Sequence, residues 1–254
     1  MASRSPVAES PDATAPAIIL RGNCSRSPRM AHSAQEMKFL ATQEKGNVSA
    51  LLVRPHDASH LLVLGHGAGT NMRHATLQTI AERMADAGIA TLRYNFPYVE
   101  HGQGRDSREV CTATVRSAVA AAHGAAPDLP LLAGGHSFGG RMTSTAASES
   151  PLDAVHGLIF FAFPLHQPSQ PDTKRADHLG AVNVPMLFLS GTRDELAKMD
   201  LLQLVCKKLG KRATLHTLDT ADHGFRTLKR SRKSDEDVFV EIARVARQWA
   251  SRLK

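Results

Sequence analysis

Two hydrophobic periods alternate along this chain. Short runs such as "HLLVLGHG" (60–67), "IATLRYNF" (89–96) and "PLLAGGHS" (130–137) are apolar almost throughout and stop at Gly or Pro. Runs of this length and composition predict buried strands. Between them, apolar positions return every three to four residues. Leu77, Ile80, Ala81 and Met84 follow the i, i+3, i+4, i+7 spacing of a helix that ends near Gly88. Residues 107–124 place Cys111, Val115, Ala118, Val119 and Ala122 on one helical face. The alternation continues with strands at "AVHGLIFFAF" (154–163), "VPMLFLS" (184–190) and "RATLHTL" (212–218), and with helices at "FGGRMTSTAASE" (138–149) and "ELAKMDLLQLVCKKLG" (195–210). A last helix is predicted from Ser234 through Val238, Ile242, Val245 and Trp249, with Ser234 and Asp237 as a variant capping box. Ahead of all these, "EMKFLAT" and "VSALLVRP" read as two opening strands joined by a turn at "EKGN".

Strands that are apolar along their whole length, alternating with amphipathic helices, predict an α/β fold. Its sheet is mostly parallel, has about seven to eight strands, and carries helices on both faces. No composition break or internal repeat divides residues 36–254, which read as one domain. Residues 1–35 are rich in Ser, Pro, Ala and Arg without periodicity, the signature of a disordered tail. A transit peptide would also use Arg and Ser, but Glu9 and Asp12 count against it, and Met30 and Met37 are alternative starts.

Composition narrows the functional classes. The 254 residues carry a net charge of +7. The basic residues are scattered apart from Lys229–Lys233, and with two Tyr and one Trp no aromatic platform for RNA is visible, so nucleic acid is not the expected partner. No apolar run approaches the roughly 18 to 20 residues that span a bilayer. Cys24, Cys111 and Cys206 form neither a CxxC pair nor a zinc pattern, which points to a reduced, cytoplasmic protein without metal or cofactor.

Reactive groups in such folds gather at the carboxyl ends of the strands. The strand at 130–137 delivers Gly135-His136-Ser137-Phe138-Gly139, a G-x-S-x-G sequence at a strand-to-helix junction. In such an elbow the serine sits on a strained turn and the glycines leave room for the chain to reverse. A serine hydroxyl needs a base, and His223 follows the last predicted strand. The imidazole needs a carboxylate, for which Asp194, after the strand at 184–190, is the choice; Asp222, Glu195 and Asp200 are the alternatives. Backbone N–H groups of Phe138 and of Ala68 or Gly69, in the loop "HGAG", are candidate oxyanion donors. His66 in the same loop reads as a structural hydrogen-bonding residue or a substrate contact.

Together these segments resemble the α/β-hydrolase superfamily, and within it the compact dienelactone-hydrolase-like hydrolases. The resemblance rests on "GHGAGTNMRH", "GIATLRYNFPY", "GGHSFGGRM", "FFAFPLHQP", "FLSGTRDEL" and "ADHGF", in order from about 60 to 226. It implies Ser137 as nucleophile, Asp194 as acid, His223 as base, and Phe138 and Ala68 as oxyanion donors. Dienelactone hydrolases proper use a cysteine at the elbow. Ser137 departs from that, and ordinary ester hydrolysis fits better than dienelactone cleavage.

Only about 20 residues, "LHQPSQPDTKRADHLGAVNV", separate the strands at 154–163 and 184–190, which predicts a minimal lid and an open site. Phe96, Tyr98, Phe138 and Leu165 are candidate walls, and Arg141 could meet an acidic substrate. The expected activity is carboxylesterase action on small soluble esters or thioesters through an acyl-enzyme. A peptidase or acyltransferase using the same triad, and a non-catalytic binding module, are the alternatives.

Overall fold

The computed structural model describes residues 1–2 and 32–253. The tail reading for residues up to 31, and Cys24 with it, lies outside the described residues. Eight strands form one sheet in the order β1-β2-β4-β3-β5-β6-β7-β8. β1 (Ala34–Thr42) pairs antiparallel with β2 (Gly46–Val53), and β2 pairs antiparallel with β4 (Ile89–Tyr94). The remaining neighbours are parallel: β3 (His60–Gly65), β5 (Leu131–His136), β6 (Val155–Phe161), β7 (Met186–Gly191) and β8 (Ala213–Leu218). β1 begins before residue 36, the boundary drawn from composition, because Ala34 and Gln35 already pair with Val53 and Leu52.

Alternate residues of each parallel strand feed two cores. Leu61, Val63, Leu131, Ala133, Phe160 and Phe188 pack with α3 (Arg108–Ala125), α4 (Phe138–Glu149) and α5 (Met199–Leu209). Leu62, Leu64, Leu132, Ile159, Phe161 and Leu187 pack with α1 (Ala75–Asp86) and α6 (Val238–Ala250). From β3 to β7 both faces are covered and the strands have almost no solvent side, which is why they read as continuous apolar runs; β8, at the sheet edge, is only partly buried.

Three local expectations change. A one-turn helix, α2 (Pro97–Glu100), follows β4 where Pro97 was expected only to stop the strand; proline at the first helical position loses no hydrogen bond. α5 starts at Met199 and not at Glu195, because residues 194–197 form a turn closed by the Ala197 N–H on the Asp194 carbonyl at 3.3 Å. α6 is capped by Asp237, whose carboxylate accepts from the N–H groups of Phe239 and Val240. Ser234 instead caps the Glu236 N–H, so no capping box forms.

Between β6 and β7 the chain makes only a 3-10 helix, Lys174–Ala181, so no lid domain is inserted. No helix among the described residues is long and apolar enough to cross a membrane.

The sheet order sets the place for chemistry. From β3 the chain winds to β4 on one side and to β5 on the other. The carboxyl ends of β3 and β5 therefore open onto a crevice at the switch point.

Burial of α6 is expected to hold this face of the sheet. Ile242, fully buried, should cost about 2 to 5 kcal/mol on Ile242→Ala. Val240, 39% exposed on the same helix, should change stability by no more than about 0.5 kcal/mol on Val240→Ala. Urea unfolding of the two variants measures the contrast.

Candidate active site

Ser137 lies between β5 and α4 with φ 51° and ψ −113°, a backbone conformation that costs a non-glycine residue roughly 1 to 3 kcal/mol. The turn is held from both sides: its N–H donates to Phe161 O at 2.9 Å, and its carbonyl accepts from Arg141 N–H at 3.1 Å. The flanking glycines are required by close approach. A Cβ on Gly135 would stand 2.5 Å from the Gly65 carbonyl oxygen, and one on Gly139 would run into the Gly65 backbone. Both obstacles are main chain and cannot swing aside.

The Ser137 hydroxyl lies 2.9 Å from His223 Nε2. His223 Nδ1 lies 3.0 and 2.9 Å from the two Asp194 carboxylate oxygens. The Asp194 side chain is fully buried while that of His223 is 26% exposed. Asp194 Oδ1 also accepts from the Leu196 N–H at 2.8 Å, so the buried carboxylate has a second donor. A carboxylate on Nδ1 fixes that nitrogen as the N–H and leaves Nε2 to accept from the serine.

The two loops that carry Asp194 and His223 are strapped together. Thr192 Oγ1 accepts from Thr220 N–H at 2.9 Å, and Arg193 N–H donates to Ala221 O at 2.9 Å. The other carboxylates considered do different work. Asp222 Oδ1 accepts from the N–H groups of Gly224 and Arg226 at 2.9 and 2.8 Å and shapes the histidine loop. Glu195 and Asp200 are exposed.

His136, unassigned in the sequence reading, lies against this constellation. Its Nε2–H donates to the His223 carbonyl at 3.0 Å, and the two rings are 5.4 Å apart. Burial holds its pKa down to about 4, so it is an uncharged donor that anchors the loop carrying His223. The only signal in the sequence was its position, directly before the serine.

His66 is fully buried with both ring nitrogens in use: Nδ1–H donates to Gly67 O at 2.7 Å, and Nε2 accepts from Phe96 N–H at 3.1 Å. Burial lowers its pKa to about 4. It orders the loop after β3, and no ring atom is left for a substrate. The Gly67 carbonyl also takes Thr70 N–H and Oγ1–H. With that carbonyl pinned, the planar trans peptide turns the Ala68 N–H the opposite way. The Ala68 carbonyl is pinned by Tyr98 Oη–H at 3.0 Å, which does the same for the Gly69 N–H. Phe138 N–H stands in the first turn of α4, where helix geometry leaves it without an intrahelical acceptor.

The expected pocket walls divide. Phe96 and Leu165 are fully buried and are core, because Phe96 stacks on Tyr98 and packs edge-on to His66, Tyr94 and Phe138. Tyr98 and Phe138 keep slight exposure beside the elbow, and Arg141 is partly exposed. On the His223 side opens a cleft of about 410 Å³ whose lining includes His136, Arg193, Glu195, Leu196, His223 and Arg226. Cys111 offers no rival nucleophile: it is buried in α3, and burial followed by the charge of Asp106 pushes its thiol up to about 12. Among the described residues, no group of three or more His, Cys, Asp or Glu could hold a metal ion.

Residues 58–251 match the family described as alpha/beta hydrolase domain, and the chain belongs to that family. Its fold is similar to that of dienelactone hydrolase from Anabaena variabilis, with a TM-score of 0.67 and 19% identity over 87% of this chain and 99% of the other. It is also similar to a serine hydrolase without a lid from Xanthomonas campestris, with a TM-score of 0.64 and 19% identity over 89% and 97% of the two chains. A cold-adapted esterase from an Arctic intertidal metagenomic library aligns with a TM-score of 0.61 and 20% identity over 87% and 95%.

Three histidines give the fold a pH dependence with a defined sign. Burial holds His66, His136 and His178 down to about 4, from an ordinary value of 6.5. Below about 6.5 the unfolded chain takes up protons that the folded chain refuses. Stability is therefore full above that pH and falls as pH drops toward 4. Urea midpoints at pH 7.5, 5.5 and 4.5 should decline in that order. His136→Gln, which retains a donor but does not titrate, should flatten the decline.

Proposed function

We propose that this protein is a serine hydrolase that cleaves carboxylic esters through an acyl-enzyme. The observation that carries the reading is the unbroken hydrogen-bonded path from Ser137 Oγ through His223 to the buried Asp194 carboxylate, at 2.9 Å and 2.9 to 3.0 Å. Ser137 Oγ attacks the ester carbonyl as its proton passes to His223 Nε2. Asp194 holds the ring and stabilises its charged form. The oxyanion takes hydrogen bonds from Phe138 N–H and from Ala68 or Gly69 N–H, donors fixed before the substrate arrives. Collapse of the intermediate expels the alcohol, which takes the proton from His223. Water then gives a proton to His223 as it attacks the acyl-serine; the acyl–Oγ bond breaks, Ser137 Oγ takes that proton back from His223, and the acid is released.

The family and the esterase and lidless hydrolase neighbours support hydrolysis. The short connection between β6 and β7 leaves no apolar cover for a long lipid chain. Small esters or thioesters that can be reached from water are the substrates this site suits.

A fluorophosphonate probe should label the folded protein at Ser137, located by peptide mass. Labelling at another residue, or none, would remove the basis for the reading. Ser137→Ala should abolish turnover of 4-nitrophenyl acetate.

The carboxylate assignment is tested separately. Asp194→Asn should lower kcat by about three to four orders of magnitude, because an amide in place of the carboxylate disfavours the required tautomer. Asp222→Asn should cost much less. The opposite ranking would reassign the acid.

A further inference from the structure

His166 is buried, 1% exposed, at the end of a run of buried residues that continues β6 from Phe161. Only one tautomer satisfies its ring. Nδ1 lies 2.8 Å from the Gln167 carbonyl, which can only accept, and Nε2 lies 3.0 Å from the Lys198 N–H, which can only donate. Nδ1 therefore carries the hydrogen and Nε2 accepts. The main chain of the same residue is equally occupied. Its N–H donates to the Leu196 carbonyl at 3.0 Å, and its carbonyl accepts from Arg175 Nη1 at 2.9 Å.

Leu196 and Lys198 belong to the short segment between Asp194 and α5. The helix does little to hold this segment. Lys198 is the N-cap of α5 without a side-chain capping bond, and its N–H lies outside the helical ladder. Leu196 is held at both ends: its N–H donates to Asp194 Oδ1 at 2.8 Å, and its carbonyl accepts from His166. The Lys198 bond, two residues on, makes the attachment to His166 a two-point one, so the segment cannot pivot about a single contact. His66 is wired in the same way, with Nδ1–H on the next carbonyl and Nε2 on a backbone N–H of a distant loop. The bonds of Thr192 to Thr220 and of Arg193 to Ala221 join the loops of Asp194 and His223 to each other. His166 joins the Asp194 loop to a third segment, the connection after β6.

We propose that His166 is a positioning residue for hydrolysis: through Leu196 and Lys198 it holds the segment on which Asp194 stands, and so keeps the carboxylate against His223 Nδ1. It touches neither the substrate nor the reacting atoms. Such a role matters because a misplacement of about 1 Å can cost on the order of a hundredfold in rate. The proposal rests on the serine hydrolase reading above, with Asp194 as the acid.

The test follows the rate at which a fluorophosphonate labels Ser137, with the final extent of labelling used to count competent sites in each variant. His166→Asn keeps a donor near Nδ1 and loses the acceptor at Nε2. It should slow labelling about tenfold, the scale of one lost hydrogen bond. Lys198→Pro deletes the same bond from the other side, at an exposed residue whose φ of −53° proline accepts, and should slow labelling similarly. His166→Gln restores an acceptor at the Nε2 position and should recover most of the rate. In an Asp194→Asn background, His166→Asn and Lys198→Pro should each cost less than about twofold, because the carboxylate they displace is gone. Equal losses in the two backgrounds would mean that His166 merely supports the fold and would overturn the proposal. Wild-type rates in both His166→Asn and Lys198→Pro would overturn it as well. Absence of labelling at Ser137 in the wild type would overturn the hydrolase reading, and undiminished labelling of Asp194→Asn would overturn the assignment of the acid; the positioning role falls with either.

Discussion

The backbone of Gly139 packs directly on that of Gly65, and Gly135 stands beside the same carbonyl, with no side chain between the end of β3 and the elbow after β5. This contact brings the loop carrying Ala68 and Gly69 level with Ser137 and Phe138. It also lets the strand reverse into α4 within one residue, which forces Ser137 to its positive φ. A single methyl group at Gly139 would wedge the two strand ends apart and separate Ser137 from the loop opposite it. The strain at Ser137 is sustained because the elbow cannot relax without breaking the bonds of its N–H to β6 and its carbonyl to α4.

Much of this was visible in the sequence because it depends on local chemistry. Strands buried on both faces must be apolar throughout, and helices on a sheet must be amphipathic, so both periods could be read directly. The positions of Ser137, Asp194 and His223 after β5, β7 and β8 followed from the order of strands and motifs along the chain. What could not be read depends on contacts between distant segments. The start of α5 was misplaced because the carboxylate of Asp194, a reasonable helix cap in isolation, faces His223 and caps a turn at Leu196 instead. Phe96 and Leu165 were read as walls because aromatic and apolar residues near a site look alike whether they line it or lie beneath it. The role of His136 needed the His223 carbonyl, 87 residues away.

The charges around the serine follow a consistent pattern. His66 and His136 are buried as neutral rings whose N–H groups donate to carbonyls, so neither adds a full charge beside His223. His223 is the imidazole in contact with the serine hydroxyl, and it carries a buried carboxylate to balance the proton it would gain. Arg105 stands over the Phe138 ring, 5.0 Å from its centroid, while Arg193 and Arg226 line the cleft beside His223. A tetrahedral intermediate develops negative charge on the oxyanion and positive charge on the imidazole. The Phe138 N–H, in the first turn of α4, would meet the first charge, and the Asp194 carboxylate in contact with the ring would offset the second. Both partners are fixed by the fold, so neither would have to reorient as those charges form.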